Sequence, residues 1–148
     1  PVAVLIEDLI GALQEEYREM GADIAIEGHS DGPLLVKPQA LKRCLSNLLS
    51  NAVKYGNSAV VRVSDGAQLV ISIRDQGPGI PEEGLEQVFE PFFRVESSRY
   101  RDTGGMGLGL SIARDIAQAH GGSIKLRNLP DRGLEATLTL PRAGEHAQ

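Results

Sequence analysis

The chain has 148 residues, 41% of them hydrophobic and 24% charged, which suits one soluble globular domain able to bury a core. Its formal net charge of -5 argues against a general polyanion binder such as a nucleic-acid coat, so no nucleic-acid partner is expected, although local basic clusters can still meet phosphates. No apolar run approaches the roughly 20 residues of a membrane helix, and the opening PVAVLIEDLI has neither a basic leader nor a cleavage signal.

The first residue is Pro1, which reads as the start of a piece of something longer or as the result of processing. Over residues 5–20 the apolar positions Leu5, Ile6, Leu9, Ile10, Leu13 and Tyr17 follow helical spacing, and Gly21 is placed to stop the helix. Residues 23–27 alternate polar and apolar, as do 60–63 and 69–73, and are expected to be short strands. Between the first two lies residues 37–55, with Leu41, Cys44, Leu45, Leu48, Leu49 and Ala52 on one helical face and Pro38 suited to the first turn. Cys44, the single cysteine, falls among those leucines and is expected to be a buried thiol, which fits a reducing cytoplasm.

A Gly/Pro-rich turn, DQGPGIP, follows the third strand. Phe89, Phe92 and Phe93, all the phenylalanines of the chain, cluster around Pro91 and are expected to be core, anchoring the base of the aperiodic polar stretch VESSRYRDTGG, which reads as a mobile loop. Residues 107–120 resume helical spacing and end at Gly121-Gly122, and 123–127 and 134–140 read as two more strands. The elements predict a two-layer α/β sandwich, one mixed and mainly antiparallel sheet with helices on a single face, over residues 1–141, with 142–148 (RAGEHAQ) as a flexible tail.

Three places on this frame carry chemistry. Asn47 and Asn51, with Lys54 and Tyr55 one turn on, share a helical stripe read as roughly 200° around from the leucine face. Asparagine is a poor mid-helix residue, and two amide oxygens can be hard neutral ligands for Mg²⁺, though taken alone an ordinary solvated face is the favoured explanation of the stripe. Asp75-Gln76-Gly77-Pro78-Gly79-Ile80 follows a strand, where a carboxylate can accept from an exocyclic amine and glycines let a flat ring approach; a tight Asp-x-Gly turn is the plain alternative. Gly104-Gly105-Met106-Gly107-Leu108-Gly109-Leu110 opens a helix, whose N-terminal amides favour phosphate; no Gly-Lys-Ser/Thr follows, and no strand precedes it, so neither a Walker nor a Rossmann loop fits. Arg94 can reach a terminal phosphate from the loop base, and Arg99 and Arg101 assist or are simply solvated. His29, His120 and His146 lack metal spacing, and His120, at a helix end beside Gly121, reads as a capping or dipole partner.

The order of these features resembles the catalytic domain of two-component sensor histidine kinases: SNLLSNAVKYG is similar to that family's N box, DQGPGI to its G1 box, FEPFFR to its F box and GGMGLGLSI to its G2 box. With the closing GG-S-I and LEATLTLP strands the resemblance covers nearly the whole chain. It implies the histidine kinase-like ATPase fold and ATP and Mg²⁺ as ligands. Asn51 would ligate Mg²⁺, Asn47 would assist at the phosphates, Lys54 would contact phosphate and Tyr55 would line the adenine. Asp75 would accept from the adenine amino group, with Gly77, Gly79 and Ile80 shaping that pocket. Gly105, Gly107 and Gly109 would give the phosphates backbone amides, with Met106, Leu108 and Leu110 completing the loop, and Arg94 would approach the γ-phosphate. Asn47, Lys54 and Arg94 would be the catalytic set. Met106 stands where many relatives have threonine, which removes a hydroxyl and keeps the amide.

Related ATPases of the gyrase, heat-shock chaperone and mismatch-repair type carry a glutamate four residues before the Mg-binding asparagine, and here that position is Asn47. A missing general base favours holding ATP for an outside nucleophile. The resemblance implies a histidine acceptor on a separate dimerisation hairpin, absent from this chain, a response regulator downstream, and a cytoplasmic position within a membrane-bound homodimeric sensor. A serine-directed kinase of the anti-sigma type and an adenine-nucleotide sensor without transfer would carry similar boxes.

Overall fold

The computed structural model describes residues 2–56, 58–77, 79, 82–85, 87–89, 109–130 and 132–142. A short strand β1 (Val2–Val4) leads into helix α1 (Ile6–Glu19), whose Ile6, Ile10, Leu13 and Tyr17 are buried at helical spacing. The helix stops as its glycine requires: Gly21 takes φ +88°, its N–H donates to Arg18 O at 3.0 Å, and the Ala22 N–H reaches back to Tyr17 O at 2.9 Å. Strands β2 (Asp23–Gly28) and β3 (Leu34–Val36) follow, then the long helix α2 (Pro38–Gly56). Next come β4 (Ser58–Asp65) and β5 (Gln68–Arg74), two 3₁₀ turns (Glu82–Gly84 and Gln87–Phe89), helix α3 (Gly109–Ala119), and the strands β6 (Ser123–Asn128) and β7 (Leu134–Pro141).

Five strands form one sheet in the order β2-β4-β5-β7-β6; β2 runs parallel to β4 and the other pairings are antiparallel. The period-2 alternation sends Val61, Val63, Leu69, Ile71, Ile73, Leu138 and Leu140 to one face, where they meet the apolar stripes of α1 and α2, including Leu41, Leu45, Leu48 and Leu49. Ala113 and Ala117 of α3 join the same core. The two-layer mixed-sheet fold expected from the sequence is therefore present.

Two features were not legible beforehand. β1 and β3 pair antiparallel as a separate two-stranded ribbon, with Val2 opposite Val36 and Val4 opposite Leu34. Three residues are too few for alternation to stand out. Arg142, assigned from its position to the tail, is tied down: its guanidinium pairs with Asp65, whose carboxylate is 2% exposed, and donates to Pro33 O at 3.0 Å. The anchored chain thus runs one residue beyond the boundary read at 141; residues 143–148 lie outside the described residues.

Candidate functional site

β5 delivers Asp75 to its end, and there the chain turns. Asp75 is 4% exposed, and a buried carboxylate is costly unless hydrogen-bonded. Its Oδ1 accepts from the Gly77 N–H at 2.8 Å and from the Leu134 N–H at 3.3 Å, and its own N–H donates to Leu134 O at 3.0 Å. Two of these bonds come from β7, 59 residues further along the chain. Gly77 and Gly79 are buried in the same turn. Gly79 takes φ +82°, and a Cβ there would come within 2.6 Å of Asn128 Oδ1.

Beside this turn is a partly open cavity lined by Leu48, Asn51 and Ala52 of α2, Ile73, Asp75, Leu110 of α3, Leu126 of β6, and Leu134 and Ala136 of β7. Its walls are apolar apart from Asn51 and Asp75, the arrangement expected of a site for a flat ring with a polar edge. Asn51 therefore does not lie across the helix from the leucine face. At 100° per residue it is about 60° from Leu48, and the stripe adjoins the apolar face rather than opposing it. The bland reading, a solvated face, does not hold for Asn51, which is half-buried and lines the cavity.

One turn earlier on α2, the Asn47 amide donates to the Gly109 carbonyl at 3.1 Å, tying the helix to the first residue of α3. Lys54 is exposed near the C-terminal end of α2. Leu110 is buried, and Gly109 is exposed at the α3 N-terminus. The Tyr55 side chain and Ile80, Arg94, Gly105, Met106, Gly107 and Leu108 lie outside the described residues, as do Phe92, Phe93, Arg99, Arg101 and the polar stretch between Phe89 and α3. Phe89 itself is core, as expected, with the Arg114 guanidinium 4.8 Å from its ring centroid.

His120 and Cys44 have structural partners. His120 Nδ1 donates to Ile116 O at 2.8 Å, and its Nε2 accepts from the Lys37 N–H at 3.0 Å, so it serves two helix ends at once. Burial pushes the Cys44 thiol up to about 12, and its S–H points at Ala113 O, 3.4 Å away. Among the described residues no cluster of three or more His, Cys, Asp or Glu could hold a metal ion. A divalent ion here would be held by Asn51 together with oxygens from a ligand and water, which suits Mg²⁺.

Sequence reasoning missed the contribution of the β6–β7 hairpin: Leu126, Asn128, Arg132, Gly133, Leu134 and Ala136. Gly133 takes φ +107°, and a Cβ on it would overlap the Asp75 carbonyl oxygen. An Arg-Gly pair ahead of an alternating run does signal a turn. Nothing local in it says which distant residue the glycine must approach.

The family described as histidine kinase-, DNA gyrase B-, and HSP90-like ATPase matches residues 36–144, the stretch that holds α2, the Asp75 turn, α3 and the sheet around the cavity. The chain belongs to this family. Within the ATPase family its likeness is to sensor histidine kinases. It is 46% identical over 137 residues to sensor histidine kinase GtrS of Pseudomonas aeruginosa, covering 92% of this chain and 28% of that protein. Mycobacterial sensor histidine kinase MprB superposes with a TM-score of 0.84 at 30% identity, over 95% of this chain and 98% of that one. The ATP-binding domain of PrrB from Mycobacterium tuberculosis gives 0.75 at 28% identity, over 95% and 96%. The chain is thus a histidine kinase-like ATPase domain of the sensor-kinase type, and it spans just over a quarter of the length of relatives such as GtrS.

Proposed function

We propose that this domain binds Mg-ATP in the cavity between α2 and the sheet and donates the γ-phosphoryl group to a histidine on a separate dimerisation and phosphoacceptor domain. The observation that carries the reading is Asp75: a buried carboxylate, oriented by two backbone N–H groups, on the wall of an otherwise apolar cavity that also holds the Asn51 amide. Adenine offers an exocyclic amine to the carboxylate and two apolar faces to Leu48, Ile73, Leu110 and Leu126.

In this reading Asn51 is the protein's ligand to Mg²⁺, which when bound neutralises phosphate charge. Asn47 and Lys54 on the same helix assist at the phosphates. Gly77, Gly79 and Ile80 shape the base pocket beside Tyr55. Gly105 through Leu110 offer backbone amides at the phosphate end, and Arg94 neutralises charge at the γ-phosphate. In the transfer itself the acceptor imidazole nitrogen forms a bond to the γ-phosphorus as the bond to the β-phosphate oxygen breaks, and ADP leaves. Asn47, which stands where the water-activating ATPases have glutamate, supplies no general base, so the site positions ATP for an external nucleophile.

The domain then works in the cytoplasm as one part of a membrane-bound homodimeric sensor whose histidine passes phosphate to a response regulator. Among the described residues no helix is long and apolar enough to cross a membrane, so the anchor in this reading belongs to another segment. Calorimetric titration of the chain with a non-hydrolysable ATP analogue and Mg²⁺ tests the binding step. One-to-one binding that loses its Mg²⁺ dependence in Asn51→Ala is expected, and absence of binding by the folded chain would overturn the assignment. The transfer step is tested by mixing the chain with a histidine-bearing helical domain and γ-labelled ATP. Label on this chain alone would contradict it.

A further inference from the structure

The turn carrying Asp75 is held from outside as well as by its own side chain. Its Gln76–Gly77 peptide unit is pinned at both ends: the N–H of Gly77 donates to Asp75 Oδ1 at 2.8 Å, and the carbonyl of Gln76 accepts from Arg132 Nε at 2.8 Å. Because the peptide is planar, its C=O and N–H move together, so a rotation that freed the carbonyl would swing the N–H away from the carboxylate. The preceding unit is fixed as well, since its Asp75 carbonyl rests against the bare α-carbon of Gly133. Leu134 supplies a further N–H to Oδ1, and the link between β6 and β7 is itself closed by the Leu129 N–H on Gly133 O at 2.9 Å.

From this arrangement we infer that Arg132, outside the cavity and 56 residues from Gln76, is a positioning residue for the nucleotide site: it sets the plane of the Gln76–Gly77 peptide and through it the orientation of the Asp75 carboxylate. The inference rests on the adenine-nucleotide reading of the cavity. Arg132 is exposed and forms no part of the core, so replacing it perturbs the turn without opening a hole. The hairpin is then a clasp on the base-recognition turn, and its grip is adjustable by one side chain.

The test uses the whole chain as wild type, Arg132→Ala and Arg132→Lys, titrated with a non-hydrolysable ATP analogue and Mg²⁺, with the Gly77 amide resonance followed by NMR in each. Loss of one such hydrogen bond is expected to weaken binding about five-fold in Arg132→Ala. The Gly77 resonance should move even without nucleotide, and Arg132→Lys, which keeps a donor, should recover part of both effects. Equal affinity in wild type and Arg132→Ala overturns the inference. So does weakened binding with an unmoved Gly77 resonance and no recovery in Arg132→Lys, since the arginine would then act on the ligand from solution. If the wild type itself binds no analogue, the nucleotide reading falls, and the arginine's role in the site falls with it. A Gly77 shift in Arg132→Ala would then report only a clasp on the turn.

Discussion

Gly133 lies against the carbonyl oxygen of Asp75 so closely that a single methyl group would overlap it, and it does so with φ +107°, a conformation L side chains rarely adopt. Gly133→Ala therefore meets strain and a collision with backbone at once, and about 2 kcal/mol or more of stability is expected to go. Urea unfolding of the two proteins measures it. An equal-stability variant would mean that β7 can retreat from the Asp75 turn without penalty.

Asp75→Asn keeps the shape of the side chain and removes the charge that its two backbone donors and the proposed base amine share. Hydrogen bonds to a charged group contribute more than neutral ones, so binding of the ATP analogue should weaken at least about ten-fold. The variant should remain folded by circular dichroism, because Gly77 and Leu134 can still donate to an amide oxygen.

The row Arg74, Glu135, Arg127 crosses three neighbouring strands, with Arg74 Nε 2.7 Å and an Arg127 nitrogen 2.9 Å from the Glu135 carboxylate. Burial pushes the Glu135 carboxyl up, but the bonds from Arg74 and Arg127 outweigh it and hold the group below its ordinary value of 4.5. A carboxyl depressed in the folded state binds protons more readily when unfolded. Its contribution is complete above about pH 4.5 and disappears as the pH falls through the lower folded value. Glu7, held down by the Ser30 N–H and hydroxyl against its own burial, acts with the same sign. Stability measured from pH 7 to 3 should thus fall in acid, and Glu135→Gln should be less stable at pH 7 with a shallower, still present, acid decline.

Truncation separates the two boundaries for the end of the domain. A chain ending at Arg142 should match the full chain, whereas one ending at Pro141 leaves the Asp65 carboxylate, 2% exposed, without its guanidinium. The carboxylate is then opened to water and keeps the Asp31 N–H, so losing the pair should cost about 1 kcal/mol, which thermal unfolding resolves. Equal melting of the two truncations would restore the shorter boundary.

Cys44 should be silent toward a thiol reagent at pH 8 in the native chain and react once in urea, since burial holds its thiol up near 12. Rapid native labelling would mean that α2 and α3 separate readily at Ala113.

What could be read in advance follows from how local each determinant is. The α2 stripe from Leu41 to Ala52 and the stops at Gly21 and Gly121 are written within a few residues, and they appear as expected. Gly121 repeats the arrangement at Gly21: its N–H bonds Gln118 O and the next N–H returns to Ala117 O. Asp75 was legible as a strand-end carboxylate, and Asn51 as an ill-suited helix residue. Asn51 departs from the opposed position expected: the helical period sets it about 90° from the centre of the leucine face and about 60° from Leu48, its neighbour on the cavity wall. Arg132 and Gly133 were invisible for a different reason: their partners, Gln76 and Asp75, are brought to them only by the pairing of β5 with β7.

That pairing also sets a timescale. β5 lies at the middle of the five-strand sheet, with β4 on one side and β7 on the other, so its backbone amides are covered from both edges. In native-state hydrogen exchange such a strand opens only in the rarest, most extensive fluctuations. The carboxylate that would select adenine is thus attached to a strand expected to open late. Local opening elsewhere among the described residues would leave Asp75 in place.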